Sequence, residues 1–311
     1  MPSVLESIFV IVACGECLVG VLANGFITLV HCTACVMTRR VTSVDFILTG
    51  LAISRIATLF TLITLNFFVF FNFKKNSISN SMFLEAIWSL SNCSSAWFGS
   101  CLSIYYFLKI ANFSHPVFLW LKRRVNKVVL RMLMGCWLLS LFITLPMAER
   151  MTKIKIVSID SENKTITPNN LGFKTLKFST LILSITGGLV PFALSLISCF
   201  LLVLSLWRHT QKMHLKVTGS RDPSTEAHRK AMIAIVSFLF LFVLYNLGII
   251  IAGLNLSMFS SKLLAMFLLI VISIYPMTHS VILILGHSKL RQAYLRILGK
   301  LTDCLKVPRK V

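Results

Sequence analysis

Seven long apolar runs occupy most of this 311-residue sequence and limit what it can fold into. A helix needs about 20 predominantly apolar residues to cross a hydrocarbon core about 30 Å thick, and each run reaches that length. The sequence therefore predicts an all-α membrane protein, a seven-transmembrane helix bundle. The runs are Ser7 to His31, Phe46 to Phe73, Met82 to Ile110, Val125 to Ala148, Phe178 to Trp207, Ala231 to Leu256, and Leu263 to Gly286.

The basic residues indicate how these helices are oriented. A net charge of +21 would also fit a nucleic-acid partner, but the cations form clusters in the segments between the runs, so we expect no nucleic acid. Short cytoplasmic loops accumulate Lys and Arg during membrane insertion. With the amino terminus outside, 21 of the 31 basic residues lie inside and nine outside. We therefore expect a multi-pass plasma-membrane protein with an extracellular amino terminus and a cytoplasmic carboxyl terminus.

The runs divide the chain into one membrane domain, 1–311, with few sizeable loops. We expect an extracellular amino terminus at 1–6, a second extracellular loop at 149–177, a third cytoplasmic loop at 208–230 and a cytoplasmic tail at 287–311. The sequon at Asn163 falls in the outer loop, where glycosylation occurs. In the tail, Leu290, Tyr294, Ile297, Leu298, Leu301 and Leu305 follow helical spacing with cations between them, which predicts a short amphipathic eighth helix at the membrane surface.

Two cysteine pairs have the sequence spacing of a metal site. Cys14-Gly-Glu-Cys17 and Cys32-Thr-Ala-Cys35 have the spacing of zinc ligands, but both pairs lie along one apolar helix, where an ionised thiolate is unfavourable. Small apolar packing residues are the better interpretation, so we expect no metal and no cofactor. Cys304, just beyond the last run, is open to two readings, palmitoylation and an unmodified thiol.

Polar side chains within the runs are the candidate functional residues, because such groups need partners at bilayer depth. Asn24 and Arg55 predict a clamp between the first two helices that also stabilises one signalling state, and simple packing is an equal alternative. His279 and Ser280 on the last run belong to the same structural and activation group. Trp88 and Asn92, four residues apart, share one helix face that suits a small amphipathic ligand. Interfacial anchoring and helix packing are the alternatives for that face.

Several unusual strings occur in order along the chain. They are LAISR ending at Arg55, CLSIYYFLKIANFSHPVFLWLKRR from Cys101, PFALSLISCFLLVLSLWRHTQKMHLKVTGSRDPSTEAHRKAM from Pro191, and HSVILILGHSKLRQ from His279. Together they resemble the type 2 taste receptors, the bitter receptors, over essentially the whole chain. A DRY triplet and an NPxxY motif, which mark other rhodopsin-like receptors, are missing from the corresponding positions.

The resemblance implies a G-protein-coupled receptor for bitter compounds that activates gustducin-type G proteins. It implies an outward-facing pocket between the third, fifth, sixth and seventh helices. By position, Trp88 and Asn92 are similar to the family's pocket residues on the third helix, and Tyr245 is similar to its aromatic switch at the pocket floor. Leu269 stands near where some members place a carboxylate, so the resemblance does not by itself imply recognition of basic ligands.

A basic rim is expected at the cytoplasmic end, where it would meet acidic G-protein or lipid surfaces, although the membrane topology explains much of this positive charge. The rim consists of Lys122, Arg123, Arg124, Arg208, Lys212, Lys216, Arg229 and Lys230.

A vomeronasal-type pheromone receptor and a small-solute transporter are the alternative functions. The sequence shows no internal repeat of the transporter type. It also shows no catalytic cluster, so we expect no enzyme.

Overall fold

The computed structural model describes residues 3–39, 42–71, 78–111, 113–135, 138, 188–208, 211, 223–254 and 261–306. Within these ranges the secondary structure is helical and contains no strand. The helices are α1 (Val4–Thr38), α2 (Ser43–Phe70), α3 (Ile78–Ile110), α4 (Pro116–Arg123), α5 (125–135), α6 (Gly188–Arg208), α7 (Pro223–Leu254), α8 (Lys262–Gly286) and α9 (Ser288–Lys306).

Wherever the structure describes the seven predicted runs, they are helical, in α1, α2, α3, α5, α6, α7 and α8. Most of the fourth run, beyond 135, and the part of the fifth run before 188 lie outside the described residues. By length and composition α1, α2, α6 and α8 can each cross a membrane, and α7 contains the shorter apolar stretch Val236–Ala252. The second helix ends at Phe70, before the predicted end at Phe73. The predicted fold class, a helical membrane bundle, is confirmed.

Local sequence signals explain where the first two helices begin. Ser3 and Glu6 form a capping box at the start of α1, in which each side chain binds the other residue's backbone N–H. Thr42 and Asp45 form the same arrangement at the start of α2. These boxes satisfy backbone donors that have no partner within the first turn of a helix. The turn between α1 and α2 passes through Arg39, which has a left-handed φ of 51°.

Three clusters of buried apolar side chains hold the helices together. The first, the inner cluster, joins α1, α2, α3 and α5 to α8 and α9, and it includes Ile47, Phe98 and Leu133. The second joins α2, α6, α7 and α8 around Phe242 and Tyr275. The third joins α3, α4 and α6. Because α2 and α8 contribute to the first two clusters, they form the centre of the bundle.

Ionic contacts tie the helix ends together on both sides of this core. At one end, Lys262 of α8 donates to Glu6 of α1 at 2.9 Å and to the backbone oxygen of Phe70 in α2 at 3.0 Å. At the other end, one carboxylate oxygen of Asp45 lies 2.8 Å from Lys289 Nζ and 2.6 Å from His31 Nδ1. These contacts bind α1, α2, α8 and α9 into one unit.

The predicted eighth helix is α9, which follows α8 after a single residue, His287. Its first apolar residue, Leu290, is fully buried in the inner cluster. Tyr294, Ile297 and Leu298 are exposed, as a helix lying on a membrane surface requires. The amphipathic helix expected from the sequence is therefore present.

Candidate functional site

A cavity of about 260 Å³ lies between α3, α6 and α7. It is close to the lower limit of small-molecule sites, which occupy roughly 300–1,000 Å³. Most of its lining is apolar, and three side chains supply polar groups. The lining residues are Asn92, Ala96, Gly188, Leu189, Phe192, Phe242, Val243, Tyr245, Asn246, Leu247, Ile249 and Ile250.

The cavity lies toward the end of the bundle that holds the amino terminus of α1. Lys262, at the start of α8, contacts Glu6 at that end and also contacts the last turn of α2. Thr58 of α2 donates to Ser91 of α3, and the α2 and α3 chains run in opposite directions, so the start of α3 is also at this end. The cavity is therefore built from the middle of α3, the first turns of α6 and the last turns of α7.

One hydrogen bond joins two walls of this cavity. The Tyr245 hydroxyl on α7 donates to the side-chain oxygen of Asn92 on α3. Asn246, the next residue on α7, donates its amide to the backbone oxygen of Phe242 at 2.7 Å. The structure thus brings together Asn92 and Tyr245, two residues that the sequence placed in a ligand site.

Trp88 lies outside the described lining of the cavity. Its ring is partly buried and packs against the cluster that contains Leu62, as does Leu269 of α8. Its indole Nε1–H is buried and has no hydrogen-bond partner among the described residues. Spacing of four residues placed Trp88 and Asn92 on one helix face, but the neighbouring helices cover the two side chains differently.

Below Tyr245, aromatic rings continue toward the centre of the bundle. The Tyr245 and Tyr275 ring centroids are 4.9 Å apart, and Phe242 stacks on Tyr275 at 5.4 Å. The Tyr275 hydroxyl accepts a hydrogen bond from Arg55 at 3.1 Å, and its ring lies 5.0 Å from the Arg55 guanidinium carbon. Sequence reasoning missed Tyr275, although a hydroxyl in the middle of the last apolar run was the signal that could have found it.

Arg55 is completely buried at the centre of a polar network. It donates to Ser280 at 3.2 Å and to Nδ1 of His279, in addition to Tyr275. Because a guanidinium has only donors, Nδ1 of His279 must be the acceptor and that imidazole is neutral. The described contacts of Arg55 include no carboxylate, so neutral hydroxyl and imidazole groups solvate its charge.

Asn24 belongs to the same network through Ser280. The Ser280 hydroxyl donates to the Asn24 side-chain oxygen at 2.8 Å, and the Asn24 amide donates to the backbone oxygens of Gly20 at 2.8 Å and Pro276 at 3.4 Å. The expected contact between Arg55 and Asn24 is thus indirect, with Ser280 between them. The network links α1, α2 and α8 through the residues that the sequence analysis grouped together, Asn24, Arg55, His279 and Ser280.

The basic rim is partly described. Lys122 donates to the backbone oxygen of Ala111 at 2.8 Å, Arg124 lies over the Trp120 ring at 5.1 Å, and Arg123 and Arg208 are exposed. The remaining predicted sites lie outside the described residues or side chains. They are Lys212, Lys216 and Asn163, and the side chains of Arg229, Lys230 and Cys304.

Comparison with known proteins identifies the family. The family model described as taste receptor protein (TAS2R) matches residues 1–302. The chain belongs to the type 2 taste receptors. It is 42% identical over 308 residues to taste receptor type 2 member 7 of Papio hamadryas, covering 98% of this chain and 97% of the relative. It is 44% identical over 307 residues to taste receptor type 2 member 10 of Pan troglodytes, covering 98% of each.

Membership confirms the resemblance read from the sequence strings. The protein is a bitter taste receptor, a G-protein-coupled receptor of the membrane that binds small-molecule ligands, and it is not an enzyme. The pheromone-receptor and transporter alternatives are not favoured.

Proposed function

We propose that this bitter taste receptor binds small amphipathic compounds in the cavity between α3, α6 and α7 and then activates a gustducin-type G protein. The observation that supports this most directly is the hydrogen bond between Tyr245 and Asn92 at the cavity wall. An apolar cavity with a few convergent polar groups is typical of sites for drug-sized molecules. A ligand with one or two polar groups would compete for that bond and bury its apolar part against Phe192 and Ile250.

Trp88 is proposed as a further ligand contact, for compounds larger than the described cavity. Its buried indole N–H has no partner in the described part of the chain, and an unpaired buried donor costs roughly 1–3 kcal/mol. A ligand acceptor that reaches this donor would remove the penalty. Trp88 lies one turn before Asn92, so an extended ligand can contact both residues.

Activation would follow from the position of Tyr245 between the cavity and the buried network. A ligand that binds one arrangement of Tyr245 more tightly shifts the receptor toward that arrangement by the difference in affinity. Tyr245 contacts Tyr275, which binds Arg55, so the change passes to α2 and α8. We propose that the other ends of α6 and α7 then separate and admit the carboxyl-terminal helix of a Gα subunit.

The proposed orientation places the amino terminus and the 149–177 loop outside, and the 208–230 loop and the 287–311 tail inside, within a single domain of 1–311. Asn163 would then be exposed to glycosylation. The basic rim would face the cytoplasm, where it can meet acidic surfaces of the G protein. The distribution of Lys and Arg supports this orientation.

Removing the polar groups of the cavity should weaken agonists without affecting the amount of receptor at the surface. Tyr245→Phe and Asn92→Ala are each expected to raise the agonist concentration for half-maximal response about tenfold, the effect of one lost hydrogen bond of about 1.4 kcal/mol. The measurement is calcium imaging of cells that express the receptor with a gustducin chimera, across a library of bitter compounds.

Tyr294→Phe is the matched control, because it removes the same hydroxyl from an exposed tyrosine on α9. Its dose-response curves should match those of the unmodified receptor. Trp88→Ala should weaken the larger agonists more than the smaller ones. Unchanged potency in both Tyr245→Phe and Asn92→Ala, with normal surface labelling, would exclude this cavity as the binding site.

The orientation and the transducer are tested separately. An epitope tag inserted in the 208–230 loop should react with antibody only after the cells are permeabilised, and an amino-terminal tag should react on intact cells. Responses should require a Gα subunit with a gustducin-type carboxyl terminus. A loop tag that reacts on intact cells would contradict the orientation, and equal responses with unrelated Gα tails would contradict the transducer.

A further inference from the structure

The start of α5 carries an exposed basic face that neither the ligand cavity nor the buried network uses. Lys127 and Arg131 are both exposed, four residues apart and therefore on one side of the helix. Their backbone positions differ by about 6 Å along the axis, at 1.5 Å per residue. Among the described residues, neither side chain forms an ion pair with a carboxylate.

The same helix face continues with apolar side chains. Met134 is 62% exposed and shares one face of α5, a single stripe, with positions 127 and 131. Leu138, four residues farther along the chain, is also helical and is 57% exposed. The opposite side of α5 packs into the bundle through Val129 and Leu133, which are buried. The stripe therefore points away from the protein core, toward the surrounding lipid.

Arg124 directly precedes α5, where its backbone oxygen accepts a hydrogen bond from the backbone N–H of Val128 at 3.0 Å. Trp120 of α4 is half exposed, and the guanidinium of Arg124 lies 5.1 Å from its ring centroid. Tryptophan is enriched at membrane–water interfaces, where its ring sits at the level of the lipid headgroups. Because Arg124 contacts Trp120 and directly precedes α5, we expect the start of α5 to lie near the headgroups.

We propose that Lys127 and Arg131, with Arg124 beside Trp120, bind the phosphate-bearing headgroup of an anionic phospholipid in the cytoplasmic leaflet. Its acyl chain lies along Met134 and Leu138. The leaflet follows from the orientation proposed above, whereas the lipid contact itself does not depend on that orientation. Anionic lipids attract basic side chains at the membrane surface, and two cations about 6 Å apart fit one headgroup.

The continuity of cationic and apolar residues on one face favours a lipid over an acidic protein surface. A docked G protein would approach from the cytoplasmic end and meet residues that face water. Met134 and Leu138 lie farther from the start of α5 than the two cations, and both are exposed apolar side chains. A phospholipid has a charged group and an acyl chain in that order, so it matches the whole stripe.

Lipid binding can be measured on the purified full-length receptor by native mass spectrometry. Three lipids are titrated separately: phosphatidylinositol 4,5-bisphosphate, phosphatidylserine and phosphatidylcholine. We expect tight adducts with the first, weaker adducts with the second and few with the third. The double variant Lys127→Gln/Arg131→Gln should lower the affinity for the anionic lipids about tenfold or more, since each basic residue near an anionic surface contributes to binding.

Two further variants separate position from charge. Lys127→Arg/Arg131→Lys keeps both charges and should retain lipid binding. Arg123→Gln/Arg208→Gln removes two exposed cations from other helices at the same end of the bundle and should leave the lipid affinity largely unchanged. Equal lipid affinity of Lys127→Gln/Arg131→Gln and the unmodified receptor would overturn the proposal. Normal lipid binding with lost G-protein activation in that variant would assign the face to the G protein and would also overturn it.

A second measurement needs no variant. The unmodified receptor is labelled with a phosphatidylinositol 4,5-bisphosphate that carries a photoreactive group on its headgroup, and the labelled peptides are identified. Labels between Trp120 and Met134 are expected, and labels confined to other segments would overturn the proposal. This readout uses neither agonist nor G protein, so failure of the proposed signalling function would leave it unaffected.

Discussion

Replacing Arg55 with Leu is expected to remove most receptor from the cell surface and to abolish signalling in what remains. The guanidinium is fully buried and donates to Tyr275, His279 and Ser280. Leu leaves the Tyr275 hydroxyl and Nδ1 of His279 without this partner in a dry environment. Each unsatisfied buried polar group costs roughly 1–3 kcal/mol, so the expected loss of folding free energy is about 3 kcal/mol.

Surface labelling, thermal melting of the detergent-solubilised receptor and calcium imaging measure this effect. Arg208→Leu is the matched control, because the same substitution at an exposed arginine should leave the melting temperature unchanged. Arg55→Lys should fall between the two, since an ammonium lacks the planar fork that reaches three partners. Normal surface labelling together with full signalling of Arg55→Leu would contradict both the structural and the activation role.

Adding a single methyl group at Gly50 is expected to be the second most damaging change. A Cβ at this position would lie 2.3 to 2.8 Å from three ring atoms of Phe98. Phe98 is itself buried in the inner cluster and contacts Phe46, so its ring has little room to move. Overpacking of this kind costs roughly 1–3 kcal/mol, more than the gain of about 1 kcal/mol from replacing a helical glycine by alanine.

Gly50→Ala should therefore lower the melting temperature and the amount of receptor at the surface. Gly25→Ala is the control, because no atom lies within 4 Å of a Cβ at Gly25, and it should be neutral or stabilising. Combining Gly50→Ala with Phe98→Leu should recover part of the loss, since the obstructing ring is removed. Equal melting temperatures of Gly50→Ala and Gly25→Ala would show that the close approach of α2 and α3 does not limit stability.

The helices could be predicted because hydropathy and length suffice to identify a membrane span. The starts of α1 and α2 can also be recognised in the sequence, from the capping-box spacing of Ser3 with Glu6 and of Thr42 with Asp45. The end of α2 is harder to predict from the sequence, because Asn72 interrupts the apolar run near Phe73 and hydropathy changes gradually there.

The candidate site was only partly predictable. Spacing of four residues correctly places Trp88 and Asn92 on one side of α3, yet only Asn92 lines the described cavity. The reason is that periodicity defines a face of a helix and says nothing about which neighbour covers each turn of it. Tyr275 was missed for a related reason, because its role depends on Arg55 and Tyr245 from two other helices.

The sequence by itself determined that the chain forms apolar helices, because a membrane helix satisfies its backbone hydrogen bonds within its own segment. Its unusual strings also indicated the bitter receptors. Only the tertiary structure decided which polar side chains meet. Arg55 and Tyr275 are 220 residues apart along the chain, and Asn92 and Tyr245 are 153 apart. Partners at such distances are chosen by how the helices pack, which hydropathy and local spacing do not encode.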